Sequence, residues 1–296
     1  MAVNDQADEL RELVRATDVV DPRPPTLRSL IVVAGGKGGV GTTTIAANLA
    51  AMLATLDEST ILVDADFQRA DATMLCHLTP QRSLIDVLSD RASVQDVLQR
   101  HETGLRVLPA AWAPDNPIDV TATLRHRLMK LLTDLDRQAT FVVVDAGSQR
   151  TALTSQLWQA ASQILLVTTA DDVAVMDTYA TIKTLAEPSS PTRISTLINF
   201  AVDPFAAEEI QRRLENSVRR FLSITLDSAA SMIPSRLLEH QQRTGWLGGG
   251  LPKSDVKSFF HRLAMTQQIA REDWSPDAAV APLAIDAEPS PLVGAS

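Results

Sequence analysis

The segment Gly35-Gly36-Lys37-Gly38-Gly39-Val40-Gly41-Thr42-Thr43-Thr44 constrains the fold more than any other feature of the chain. It lies between Leu30-Ile31-Val32-Val33, a β-branched run that reads as a strand, and an apolar stretch over 43–56 that reads as a helix. Glycines let the backbone fold closely around an anion, so that successive N–H groups and the positive helix end point at phosphate oxygens. A structural turn also uses glycine, but strand, loop and helix in this order belong to open α/β sheets that bind ligands at the carboxyl ends of their strands.

The remaining pattern agrees. Thr60–Val63, Leu105–Leu108, Phe141–Val144, Ile164–Val167 and Ile194–Ile198 are further strand-like runs, several apolar on both faces as buried parallel strands are. Helices are expected near Leu124–Asp136, Ala152–Ala161, Val175–Leu185, Pro204–Arg220 and Asp255–Arg271. In the last, Val256, Phe259, Phe260, Leu263 and Ala264 form one apolar face, read as core rather than as a membrane or cofactor surface. The predicted fold class is α/β: a doubly wound, mostly parallel sheet flanked by helices.

Residues 27–273 are expected to form this nucleotide-binding domain. Residues 1–26 read as a short helix, with Ala7, Leu10, Leu13 and Val14 at helical spacing, followed by the tether Asp21-Pro22-Arg23-Pro24-Pro25. Residues 274–296 are rich in Ala, Pro and Ser and lack Lys and Arg, a composition that predicts disorder. With 45% apolar residues the chain can fill a large core, and its single cysteine, Cys76, forms no internal disulfide. No apolar run approaches the ~20 residues that span a bilayer. A net charge of −9 disfavours non-specific binding to DNA or anionic lipid. A cytoplasmic location is expected.

Against the phosphate-loop template G-x-x-x-x-G-K-[ST], Gly36, Gly41 and Thr43 match, but Thr42 stands where a lysine neutralises the β- and γ-phosphates. Losing that charge weakens triphosphate binding and slows hydrolysis while leaving the backbone cradle. Asp64 and Asp66 follow the second strand, where turn capping is the plainer alternative, and Asp145 ends a strand as a magnesium-holding aspartate does.

At these residues the chain resembles the MinD/ParA family of ATPases, whose variant loop reads K-G-G-x-G-K-[ST]. The resemblance implies ATP or ADP with Mg²⁺ as cofactors, held by Gly36, Lys37, Gly38, Gly39, Val40, Gly41, Thr42, Thr43 and Thr44. It implies that Lys37 reaches across a nucleotide-sandwich homodimer and that Asp66 positions the attacking water. Thr43, Asp64 and Asp145 would serve the metal, and Asn199 would meet adenine unless it is an ordinary strand-end turn residue. The family's D-x-x-A-G segment reads Asp145-Ala146-Gly147-Ser148-Gln149 here, so Gln149 replaces a switch glycine. With Thr42, this makes weak or absent ATPase activity the expectation.

Asp5-Gln6-Ala7-Asp8-Glu9-Leu10-Arg11 is similar to the D-Q-A-x-x-L-R motif of the flagellar-number regulators, the FlhG/FleN branch. Segments 78–88, 104–110 and 177–183 resemble that branch too. The resemblance implies that Gln6, Ala7, Leu10 and Arg11 contact an FlhF-like signal-recognition GTPase and stimulate it, with Gln6 as the activating group. Flagellar switch-ring proteins are further implied partners, and membrane association is expected to be weak or indirect. The alternative is an active positioning ATPase for septum, pilus or DNA partition, for which Arg212, Arg213, Arg219 and Arg220 offer the arginine cluster.

Overall fold

The computed structural model describes residues 26–67, 69, 71–110, 120–186, 190–231 and 255–275. The expected amino-terminal helix, with Gln6, Ala7, Leu10 and Arg11, and the tail from 276 onward lie outside the described residues. Chain order runs β1 (Leu27–Gly35), α1 (Thr42–Thr55), β2 (Thr60–Asp64), α2 (Asp71–Leu75), α3 (Leu84–Leu88), α4 (Val94–Val97), β3 (Gln99–Arg100), β4 (Arg106–Leu108) and α5 (Ala122–Asp136). It continues through β5 (Phe141–Asp145), α6 (Ala152–Ala160), β6 (Ala161–Thr169), α7 (Asp172–Leu185), β7 (Arg193–Asn199), α8 (Pro204–Leu222), β8 (Asp227–Ser231) and α9 (Asp255–Glu272).

The strands form one sheet in the order β3-β4-β2-β5-β1-β6-β7-β8, parallel except where β3 pairs antiparallel with β4 at the edge. After β1 the chain builds toward the β3 edge, returns through β5, then builds from β6 toward the β8 edge. The carboxyl ends of β1, β2 and β5 therefore bound the crevice in which doubly wound sheets bind ligands.

Alternation along each strand divides the core between the two sheet faces. Leu30, Val32, Val142, Val144, Ile164 and Leu166 pack with α5, α6, α7 and α8 on one face. Ile31, Val33, Val143, Leu165 and Val167 pack with α1 and α9 on the other. The alanines of α1 (Ala46, Ala47, Ala50, Ala51) are fully buried, which lets that helix lie close to the sheet. The apolar face of α9 is core as its periodicity predicts: Val256, Phe259, Phe260, Leu263 and Ala264 are all buried.

Helix starts follow local chemistry. Thr121, Thr151, Asp171 and Asp203 each accept a hydrogen bond from the backbone N–H three residues on, capping α5, α6, α7 and α8. The expected strands and long helices are present with ends moved by a few residues. Periodicity does not predict the short α2, α3 and α4 or the edge strands β3 and β8. For α3 and α4 the signal is the capping box, Ser83 with Asp86 and Ser93 with Asp96. The sequence of β8, Asp-Ser-Ala-Ala-Ser, has little strand propensity, and its extended form comes from pairing with β7.

Phe260 is fully buried and packs edge-to-face on Phe259, with centroids 5.1 Å apart at 85°. Urea denaturation of Phe260→Ala is expected to show a loss of about 3–5 kcal/mol, whereas Met265→Ala on the exposed side of the same helix changes stability by about 0.5 kcal/mol or less.

Candidate functional site

The glycine loop turns from β1 into α1 at the carboxyl edge of the sheet. Gly36 lies so close to α7 that a Cβ there would be 2.7 Å from the Thr178 backbone, and Gly41, with φ of 93°, begins α1 in the left-handed region. No side chain caps α1 and no acidic residue occupies its first turn, leaving its first N–H groups directed at the crevice. Val40 is buried and anchors the loop in the core. Thr42 is also buried, its hydroxyl tucked so near Gly35 that a Cβ on that glycine would be 2.5 Å away.

Asn199, at the end of β7, pins this loop. Its Nδ2 donates to the Val40 carbonyl at 2.8 Å, and its Oδ1 accepts from the Phe200 N–H at 3.0 Å. The amide that the family resemblance implies for adenine therefore bonds loop backbone, and a Cβ on Gly41 would be 2.5 Å from Nδ2.

Asp64 and Asp145 are register partners on β2 and β5, both fully buried. The Thr73 N–H and hydroxyl donate to Asp64 Oδ2 at 3.1 and 2.8 Å, while Oδ1 has no partner. Burial first, then the Asp145 charge, raise the Asp64 carboxyl well above the ordinary range. The Asp145 carboxyl is pushed up to about 6 by burial, against hydrogen bonds from the Thr43 hydroxyl and the Gly147 N–H, and its Oδ2 lacks a partner. Two buried carboxylates, each with an orphaned oxygen, beside a threonine hydroxyl fit a divalent cation. Among the described residues no group of three or more His, Cys, Asp or Glu could cage a metal alone. That composition suits Mg²⁺, which keeps waters and takes phosphate oxygens as ligands.

Asp66 lies beyond β2 against Gly147, where φ is 64° and a Cβ would sit 2.5 Å from Asp66 Oδ2. The Gly147 carbonyl accepts from the Gly35 N–H at 2.9 Å, joining the segment after β5 to the start of the glycine loop. Lys37 Nζ is 3.6 Å from Asp171 Oδ1, with both side chains about half exposed. Lys37, Thr42, Thr43, Asp66, Arg69 and Gln149 share the lining of one cavity of about 740 Å³. The structure thus brings together the loop, the metal-type carboxylates and Asp66. Sequence reasoning missed Thr73, Arg69, Gly147 and Asp171; the glycine directly after Asp145-Ala146 and the capping position of Asp171 are the signals that could have found two of them.

The AAA domain family model (AAA_31) matches residues 28–193. Antiactivator FleN of Pseudomonas aeruginosa is 33% identical over 197 residues, covering 67% of this chain and 70% of that protein. The flagellum site-determining protein YlxH of Helicobacter pylori is 26% identical over 312 residues, 88% of this chain and 98% of that protein. The solved structure of the septum site-determining protein MinD of Pyrococcus horikoshii, complexed with Mg-ADP, matches with a TM-score of 0.65 at 19% identity over 80% of this chain and 94% of that one. At that identity it speaks for the fold.

A carboxyl whose folded pKa is raised favours folding at low pH and loses that contribution as pH rises through the folded value. Asp145→Asn is therefore expected to stabilise the nucleotide-free protein by roughly 2–3 kcal/mol well above pH 6, with the gain fading toward pH 4. Urea midpoints measured across that range check it; a gain independent of pH would assign it to packing instead.

Proposed function

The chain belongs to the MinD/ParA family, and from that premise we propose that it regulates flagellar number or placement as a nucleotide-dependent switch with little or no turnover. The observation that carries this reading is a phosphate cradle, preserved in backbone and carboxylates, that lacks the lysine charge at Thr42. The likeness to FleN and YlxH supports the flagellar role.

In this reading the residues from Gly36 to Thr44 hold the phosphates of ATP or ADP through backbone N–H groups. Thr43, Asp64 and Asp145 hold Mg²⁺, which when bound neutralises phosphate oxygens. Asp66 orients water, held in place by the close passage of Gly147. Lys37 leaves Asp171 to serve the partner copy in a homodimer. The amino-terminal residues Gln6, Ala7, Leu10 and Arg11 engage an FlhF-like GTPase, and switch-ring proteins are further partners.

The DNA-partition alternative draws less support. Arg212 pairs with Glu209, Arg213 with Asp172, Arg219 bonds Asn216, and Arg220 lies over the Phe221 ring. These contacts suit a solvated helix face. The apolar face of α9 lies in the core, which favours indirect over direct membrane recruitment. No helix among the described residues is long and apolar enough to cross a membrane.

The full chain is expected to accelerate GTP hydrolysis by an FlhF-type GTPase, and Gln6→Ala to abolish the effect; no acceleration by the wild type would sink the activator role. Phosphate release from ATP is expected to be near background for the wild type and to rise about tenfold or more in Thr42→Lys. Equal turnover in the two would refute the argument from the missing charge.

A further inference from the structure

We propose that Arg69 supplies, from within the same chain, the phosphate-neutralising charge that Thr42 lacks. The inference rests on the nucleotide-binding reading above. Arg69 and Lys37 are the arginine and lysine side chains that line the cavity among the described residues. Lys37 faces Asp171 at 3.6 Å, whereas none of the ion pairs among the described residues involves Arg69.

The position of Arg69 is set by the site itself. Its N–H donates to the Asp66 carbonyl at 3.1 Å and lies 3.3 Å from Asp66 Oδ1, so the turn that presents Asp66 also presents Arg69. The charges around it favour such a group. Asp66 and Asp71 stand at the cavity wall, close enough to the fully buried Asp145 to raise its carboxyl further, and the Thr42 hydroxyl is folded back on Gly35. With Lys37 committed to the partner copy, a triphosphate entering that field gains from a second cation of its own chain besides Mg²⁺, and a guanidinium on a long stem presents a planar set of donors to phosphate oxygens. Arg69 contacts the outer phosphates and thereby favours ATP and ADP over AMP.

Titration of the full chain with fluorescent ATP and Mg²⁺, with unlabelled ADP and AMP as competitors, tests this. Arg69→Ala is expected to weaken ATP binding about tenfold or more and to leave AMP unchanged, whereas Arg69→Lys keeps most of the affinity. Adding Thr42→Lys to Arg69→Ala is expected to restore ATP binding, a rescue that a merely structural role for Arg69 would not permit. Saturable wild-type binding left unaltered by Arg69→Ala overturns the proposal and leaves the nucleotide reading intact. Equal losses for ATP and AMP, or no rescue by the added lysine, also overturn it. A wild type that does not bind ATP overturns the nucleotide reading and this proposal together.

Discussion

Two carboxylates buried side by side at the carboxyl edge of a parallel sheet are a liability in the free protein. Asp64 and Asp145 sit in register on β2 and β5, and burial raises both pKa values. Desolvating a carboxylate costs several kcal/mol unless hydrogen bonds or a counter-ion offset it. The surroundings offer partial compensation only: Thr73 to Asp64, Thr43 and Gly147 to Asp145, and one orphaned oxygen on each. The uncapped end of α1 and the glycine loop sit opposite. Their backbone supplies positive dipole, and the one formal charge of the loop, Lys37, faces Asp171 instead of the buried pair, so Asp64 and Asp145 are electrostatically incomplete until a cation enters.

The rest of the architecture holds that incomplete site rigid. Val40 and the helix behind it are core, Asn199 ties the loop to β7, and Gly36 abuts α7 too closely for any side chain. On the other side, Gly147 links Asp145, Gly35 and Asp66 through two backbone contacts and one close approach. Movement of the segment after β5 would therefore be felt by Asp66 and the loop together, which is what a nucleotide-sensing element needs.

The sheet, the long helices and the loop were legible because each has a strong local signature: β-branched runs, a 3.6-residue apolar period in α9, and glycines between strand and helix. Asp64, Asp145 and Thr43 were legible from strand ends and the loop template. Other features depend on tertiary contact and have no local trace. Asn199 bonds the adjacent Phe200 N–H, the strand-end turn its position offers, but its bond to the Val40 carbonyl joins backbone that sequence spacing does not bring near it. Thr73 lies in a helix of five residues, too short to give a period, and reaches Asp64 only because α2 folds back onto β2. Gln149 stands where the resemblance, aligned without a gap, puts a switch glycine, and the left-handed residue of that turn is Gly147.

Binding and hydrolysis respond differently to the two sequence departures. A single charged contact to phosphate is worth about 1.5–3 kcal/mol, so a threonine at position 42 costs roughly 10–100-fold in affinity unless another cation takes the contact, as proposed for Arg69, and the backbone cradle remains in either case. The same contact matters more to turnover, because charge on the transferring phosphoryl group must be stabilised at the moment of reaction. Gln149 shares the cavity lining with Asp66, the residue proposed to orient the attacking water. An exposed pair such as Lys37 with Asp171 is worth only about 0–1 kcal/mol, so it can exchange Asp171 for a phosphate with little penalty. Preserved backbone and carboxylates beside a missing lysine charge are what support the proposal of a regulator whose bound state persists rather than cycles.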